Sequence, residues 1–245
     1  MSYFSRLDAM LRNQDFIDVA DGNKEVVNYA KAFAVVENAV VVLSDLRNGI
    51  SLIFSGAFGM RMGLRQTGRV DSIWEEEVLK LMDGKECEAK YLAELRFFNY
   101  IHRVPKSQRK NLFLATRLRM RCVDGRLTDV LHRMYYVYDT RGENVDFAIC
   151  IYSPLIFGFV GKSMVVNSVT GGREELTPAG DSRILSAREL QVLNLIETGR
   201  TSEEIAGILA ISKHTVSRHR QAIIAKLRVK NSVDACRVAK SLGII

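Results

Sequence analysis

The sequence predicts an α+β protein in two parts: an antiparallel sheet with helices, then an all-α domain of four short helices. Three observations predict it. Between residues 40 and 154, apolar residues recur at period two in segments separated by turn residues, the pattern of half-buried strands. After residue 183 the pattern becomes that of amphipathic helices, several of them opened by capping residues. Of the formal net charge of +7 on 245 residues, +6 falls on residues 183–245, where eleven Lys and Arg meet five acids. The second part is therefore electrostatically unlike the first.

Taken in order, residues 3–11 and 25–36 carry helical patterns. Val40-Val-Val-Leu-Ser-Asp-Leu then runs through Arg47-Asn48-Gly49 into Ile50-Ser-Leu-Ile-Phe-Ser, two β-rich segments at hairpin spacing. Residues 56–64 read as a short helical link. Its Gly56, Gly59 and Gly63 mark close packing, because their spacing fits neither the dinucleotide nor the P-loop pattern. A helical region over residues 73–103 follows, with Trp74, Val78, Leu81, Tyr91, Leu95 and Phe98 as candidate core. The acids Glu75 to Glu77 suit the start of a helix; consecutive helical residues point apart, so they do not converge as paired catalytic carboxylates. Three strands come next, at 112–120, 127–138 and 145–152, joined by Asp124-Gly125 and Arg141-Gly142 turns. An extra hairpin is expected in Ser163-Met-Val-Val-Asn-Ser-Val-Thr-Gly-Gly, and a joint at residues 177–182, which contain Pro178 and Gly180. The expected division is residues 1–160, a hairpin and linker over 161–182, and 183–245.

The last quarter carries the functional argument. Ser186 with Glu189, and Thr201 with Glu204, each have capping-box spacing. Between them Leu190, Leu193 and Ile196 form an apolar stripe, and Thr198 and Gly199 end that helix. Ile205, Ala206 and Leu209 are the expected buried face of the second helix. Ile211 and Ser212 then make a tight turn, Ser212 capping a third helix over residues 213–227 whose inner side is Val216, Ile223 and Leu227. Its opposite side reads His214, Ser217, Arg218, Gln221 and Ala225: polar, free of acids and on one helical face. Such a helix fits a DNA major groove, where Arg, Gln and Ser hydrogen-bond base edges and a carboxylate would be repelled by phosphate. His219, next to the apolar seam, reads as a packing residue. A fourth pattern carries Val233, Cys236, Val238 and Leu242, to bury against the bundle or a second subunit.

Leu185-Ser-Ala-Arg-Glu-Leu-Gln-Val-Leu, Glu204-Ile-Ala, Ile211-Ser-Lys-His-Thr-Val and Lys226-Leu-Arg-Val-Lys-Asn together resemble the C-terminal domain of LuxR-type regulators. The resemblance implies a four-helix helix-turn-helix module whose third helix enters the major groove and whose fourth commonly supports dimerisation. It places Ser217, Arg218 and Gln221 at base edges, and Lys213, His214, Thr215, Lys226 and Lys230 at phosphates. Ser217 stands where the family often has a long basic side chain, and Ser232 where an arginine commonly follows the asparagine. The promoter-reading domain of sigma factors shares the Glu-Ile-Ala and Thr-Val arrangement, but it needs a helical, aromatic-rich region upstream where this chain has strands. Upstream, the order of two strands, several helices and a three-stranded meander resembles a PAS-type sensor domain. That resemblance implies a five-stranded antiparallel sheet whose helices enclose a small cavity or make a dimer surface. Tyr91-Leu-Ala-Glu-Leu-Arg-Phe-Phe and Leu131-His-Arg-Met are similar to PAS-containing LuxR-type regulators of Bacteroidetes. The expectation is a homodimeric transcription regulator. Its partners would be double-stranded DNA, RNA polymerase if it activates, and either a small ligand or another protein at the PAS-like part.

Other classes are set aside by missing chemistry. Cys87, Cys122, Cys150 and Cys236 make no Cys-x-x-Cys pair and have no histidine at metal-ligand spacing, so reduced thiols and no metal or cofactor are expected. A flavin photosensor needs Asn-Cys-Arg-Phe-Leu, whereas Cys87 sits in Lys-Glu-Cys-Glu. His102 and His132 are haem-ligand candidates by residue type alone, Asp45 alone does not make a receiver's acidic site, and Trp74 is followed by Glu75-Glu-Glu, unlike the Trp-x-x-x-Tyr-Asp of acyl-homoserine-lactone sensors. With no convergent nucleophile, base or metal set, no enzyme is expected. No apolar run approaches the ~20 residues that span a bilayer, and Met1-Ser-Tyr-Phe-Ser-Arg lacks a signal-peptide layout, so a cytoplasmic protein is expected.

Overall fold

Alternation gives each strand two faces, and the fold covers both faces of its central strands. The computed structural model describes residues 3–14, 16, 22–159, 161–177, 185–227, 229–241, 244 and 245. It has two compact units, Leu7–Glu175 and Met1–Arg6 with Leu176–Ile245.

The larger unit is built on β1 (Val40–Asp45), β2 (Ile50–Ser55), β3 (Thr67–Val70), β4 (Leu112–Arg121), β5 (Leu127–Tyr138), β6 (Val145–Pro154), β7 (Ser163–Asn167) and β8 (Arg173–Glu175). They form one antiparallel sheet in the order β3-β2-β1-β6-β5-β4-β7-β8. The five expected strands occupy its centre as β2-β1-β6-β5-β4, but the sheet has eight, not five. The extra hairpin forms, and β7 extends the sheet by pairing Leu112 with Asn167 through Thr116 with Ser163. β3, with the sequence Thr-Gly-Arg-Val, has no apolar alternation because it is an edge strand with Thr67 and Arg69 in solvent.

The helices follow from caps and small residues. The first is α1 (Tyr3–Arg12), and α2 (Gly22–Val36) lays Ala30 and Ala34 on Val41, Leu43, Phe54, Phe147 and Ile151 of one sheet face. The β1–β2 turn is held by Asp45, whose carboxylate accepts from the Arg47 and Asn48 amides at 3.1 and 2.9 Å, with Gly49 at φ 69° closing it. The region 73–103 is two helices rather than one, α4 (Glu76–Leu79) and α5 (Gly84–Arg103). Asp83 makes the break: in extended conformation, it accepts the Glu86 amide at 2.9 Å and starts α5 afresh. Trp74, Val78, Leu95 and Phe98 are buried as expected, whereas Leu81 and Tyr91 are half-buried. On the second sheet face, Phe97 stacks on Tyr136 with centroids 5.4 Å apart and Phe98 meets the same ring edge-on. Short helices α3 (Ala57–Arg61) and α6 (Lys106–Arg109) complete the unit.

Gly56 and Gly59 are packing glycines. A Cβ on Gly56 would lie 2.3 Å from the Ala34 carbonyl oxygen, and one on Gly59 2.7 Å from the Val40 side chain.

In the smaller unit, α7 (Ala187–Glu197), α8 (Ser202–Leu209), α9 (Lys213–Leu227) and α10 (Ser232–Ser241) surround Leu185, Val192, Leu193, Ile205, Val216, Ile223, Leu227, Ala235 and Ala239. The expected joint at residues 177–182 lies outside the described residues except for Thr177.

Because the atom opposing a Gly56 side chain is backbone and cannot rotate away, Gly56→Ala should destabilise the larger unit by about 3 kcal/mol, the upper end for overpacking. Gly59→Ala, opposed at 2.7 Å by Ser55 Cβ and by the Val40 side chain, should destabilise it as well. Urea unfolding of the full chain followed by Trp74 fluorescence measures both; equal stability of Gly56→Ala and the parent would show that α2 does not press on this site.

Candidate nucleic-acid interface

The interface begins with helix caps. Ser186 and Glu189 exchange hydrogen bonds reciprocally, the Ser186 amide donating to Glu189 Oε2 at 2.7 Å and the Glu189 amide to Ser186 Oγ at 3.3 Å. Thr201 and Glu204 repeat the arrangement at 2.8 and 3.3 Å. Ser212 caps α9 by accepting the Thr215 amide at 3.0 Å. The turn between α8 and α9 is reached through Ala210, which adopts the left-handed conformation (φ 52°, ψ 47°) that ends α8.

These caps set which faces turn inward. In α7 the buried residues are Glu189, Val192 and Leu193, while Leu190 and Ile196 are half-buried; the inner stripe is rotated from the expected one. Glu189 shares that inner side: its carboxylate is 6% exposed and receives the Lys226 ammonium at 2.7 Å. Burial opposes its ionisation, but the Lys226 and Ser186 hydrogen bonds outweigh that and hold its carboxyl below the usual range. In α8 only Ile205 is fully buried, with Ala206 and Leu209 half-buried. In α9 the inner side is Val216, Ile223 and Leu227, as the spacing predicts. Cys236 and Val238 of α10 bury within the unit, leaving Val233 exposed; Leu242 lies outside the described residues.

The other side of α9 is bare. His214, Ser217, Arg218, Gln221 and Ala225 are all exposed, as are Lys213, Lys226 and Lys230, with Thr215 half-buried. Arg218 and Lys230 have no ion pair or hydrogen bond among the described residues, whereas Lys213 is 3.4 Å from Glu203 and Lys226 is tied to Glu189. Thr215 shares its hydroxyl with Ser212 at 2.8 Å. His219 is half-buried, in keeping with a packing role.

Two arginines counted in the basic footprint are scaffold instead. Arg220 donates to Ser202 Oγ of α8 at 3.0 Å and to Ser232 Oγ of α10 at 3.2 Å, so α9 is bolted to both neighbours. Arg188 donates to the Leu209 carbonyl at 2.6 Å, satisfying the end of α8. Sequence spacing does not reveal either role, because both join residues on different helices.

The interior of the larger unit is charged. Lys90 on α5 is 1% exposed, its ammonium 3.0 Å from Glu75 and 2.8 Å from Glu94. Tyr152 on β6 donates to Glu75 at 2.6 Å. Burial opposes charge on all of them; the two carboxylates nevertheless raise Lys90, and Lys90 with Tyr152 lowers Glu75. Glu94 is left with burial dominant and is pushed up. Glu75, expected to serve the helix dipole with its neighbours, is turned into the core while Glu76 and Glu77 stay in solvent. The cavity beside this cluster, lined by Trp74, Glu75, Lys90, Glu94, Tyr136 and Cys150 among others, has a volume of about 20 Å³, room for about one water.

With this geometry in place, comparison with known proteins gives a family for the smaller unit. Residues 183–239 match the family model of bacterial regulatory proteins, luxR family. The chain is 38% identical over 60 residues to the uncharacterized response regulatory protein YgeK of Escherichia coli (strain K12), covering 24% of this chain and 41% of that one. It is 39% identical over 70 residues to the transcriptional activator protein EsaR of Pantoea stewartii subsp. stewartii, covering 29% and 28%. The chain thus spans less than half the length of these curated relatives. Residues 183–239 are a LuxR-type helix-turn-helix domain. Among solved structures, the phage VqmA–DPO complex aligns over 91% of this chain and 92% of its own at 16% identity, with a TM-score of 0.33, a likeness too weak to carry an argument. No described helix is long and apolar enough to cross a membrane.

Replacing Glu189 tests the cap and the ion pair together. Glu189→Gln should lower the protection of α7 amides from hydrogen exchange at pH 7 by about 1 kcal/mol, the size of a half-exposed pair plus a weakened cap. Because the folded-state carboxyl titrates below its unfolded value, its contribution is present above the unfolded pKa and lost as pH falls through the folded one. The variant and the parent should therefore converge in acid; a gap that persists there would assign the effect to packing. In the larger unit, Lys90→Met should cost ~3–5 kcal/mol by leaving two buried carboxyls without their cation. A variant as stable as the parent in thermal unfolding would show that the cluster is hydrated.

Proposed function

We propose that the chain is a homodimeric, sequence-specific DNA-binding transcription regulator whose N-terminal unit receives the signal. The observation that carries this reading is the bare face of α9: Ser217, Arg218 and Gln221 project together from a helix bolted to its neighbours. In it those three side chains read base edges, with Lys213, His214, Thr215, Lys226 and Lys230 at phosphates. Thr215 and Lys226 approach from fixed positions, since both are held by intradomain hydrogen bonds. The relatives of the helix-turn-helix domain include a protein named as a transcriptional activator. If this chain also activates, RNA polymerase is its further partner.

A PAS-like reading of the N-terminal unit is supported by its contiguous β2-β1-β6-β5-β4 core and by the order of two strands, helices and a meander. Within that reading, the small interior volume favours a protein-interaction or dimerisation module over a pocket for an organic ligand. On α2, Tyr29, Phe33 and Val36 lie on one helical face and are 63%, 44% and 79% exposed. An apolar stripe of this kind suits a second copy of the same helix. Dimerisation would let two copies of α9 read half-sites about one helical turn apart. An eight-stranded sheet upstream speaks against the sigma-factor alternative.

Recovery of genomic DNA bound to the purified protein, followed by salt titration on the best fragment and a scrambled control, tests this reading. A two-fold symmetric motif bound far better than the control is expected; equal binding with equal salt slopes would reduce the domain to a nonspecific anchor. On the recovered site, Arg218→Ala should cost ~1–3 kcal/mol and relax the base preference. Lys230→Ala should weaken all sequences alike and lower the salt slope by about one. Equal losses on specific and random DNA for Arg218→Ala would make it a phosphate contact.

A further inference from the structure

We propose that Glu94, His132 and Cys150 form a binding site for one zinc-class divalent transition-metal ion inside the N-terminal unit. The three side chains come from α5, β5 and β6, and one donor atom of each lies within 4.8 Å of the others. All three are buried. Alternation places His132 and Cys150 on the same sheet face, and Glu94 descends on them one helical turn after Lys90.

The strongest mark of the site is His132. It is 0% exposed, and neither ring nitrogen has a hydrogen-bond partner among the described residues. Its Nε2 is 3.6 Å from Glu94 Oε1, too far for a hydrogen bond. A buried imidazole with both nitrogens idle forfeits the bonds it made to water. A neutral imidazole presents a nitrogen lone pair to a metal.

Charge balance points the same way. With both carboxyls ionised, Glu75, Lys90 and Glu94 would sum to one negative charge in a buried site, a state that burial opposes at Glu94 and that a bound cation would stabilise. A divalent ion that displaces the Cys150 thiol proton adds two positive charges and one negative, which brings the cluster to neutrality. In that step a metal–sulfur bond forms, the S–H bond breaks heterolytically and the proton leaves to solvent. Lys90 retains Glu75, itself held by Tyr152, as its counter-ion while Glu94 turns to the metal.

A sulfur, nitrogen and oxygen donor set selects zinc over magnesium or calcium, which prefer oxygen alone. Tetrahedral bonds of ~2.0–2.3 Å require the donors to close by about 1 Å. Three protein ligands leave a fourth position to water, and the adjoining cavity has room for one. The ion would cross-link α5 to the β5–β6 meander, making the unit's rigidity a function of metal supply. This site stands apart from the DNA-binding reading and holds or falls without it.

The test uses the full chain, reduced, stripped with chelator and titrated with Co²⁺ as the spectroscopic probe. One Co²⁺ per chain should bring a thiolate-to-metal absorption in the near ultraviolet and tetrahedral bands in the visible, and Zn²⁺ should abolish both. Cys150→Ala should lose the near-ultraviolet absorption, while Cys87→Ala should keep it. Glu94→Gln and His132→Gln should retain it but bind at least tenfold more weakly, which keeps the test open if Cys150→Ala fails to fold. No thiolate absorption in the parent, or absorption unchanged in Cys150→Ala, overturns the site.

Discussion

Burying the Lys90 ammonium is the constraint on which the N-terminal unit turns. An unpaired charge there would cost several kcal/mol, so α5 must bring it within ion-pair distance of carboxylates on two elements. Glu94 comes from the same helix at i+4, and Glu75 from the start of α4. Glu75 is in turn fixed by the Tyr152 hydroxyl of β6. These requirements set the register of α5 on the sheet before any apolar contact is counted, and Phe97 and Phe98 then stack where that register puts them, around Tyr136. The same network fills the space that a sheet and its covering helices would otherwise enclose. A core held by charges is specific in its geometry but sensitive to any group that alters their balance.

The sequence makes the sheet legible because strands of half-buried character write their period directly. The meander from β4 to β6 follows from alternation and Gly turns, and the first hairpin from two β-rich segments at hairpin spacing. β3 was not legible, since an exposed edge strand needs no apolar face. The break between α4 and α5 was legible in principle: Asp83 and Glu86 have capping-box spacing, and a continuous helical pattern masked it. Lys90, Glu94, His132 and Cys150 were not legible as a group at all. Each reads alone as a solvated helix residue, a lone histidine or an inert thiol, and only the sheet register and the docking of α5 bring them together. In the helix-turn-helix, both capping boxes and the inner side of α9 were read from spacing, but the buried face of α7 was misplaced. Leu193 is buried as expected, but it is joined by Val192 and by the capping Glu189, whose partner Lys226 lies on another helix and is not visible in the spacing of α7.

The acids of the DNA-binding domain explain why its bare face can be bare. A surface meant for phosphate tolerates no loose carboxylate, yet helices gain from acids in their first turns. This domain meets both demands by engaging each one. Glu189 is buried against Lys226, and Glu204 closes a capping box next to Arg200. Glu197 meets Lys240, Glu203 faces Lys213, and Asp234 accepts from Asn231 and lies near Arg237. Arg218 and Lys230 receive none of them. Arg218 is thereby left, among the described residues, as an unpaired cation beside Ser217 and Gln221 on the exposed side of α9. Glu189 and Glu204 thus both start helices and hold basic side chains, so two of the five carboxylates serve capping and charge pairing at once.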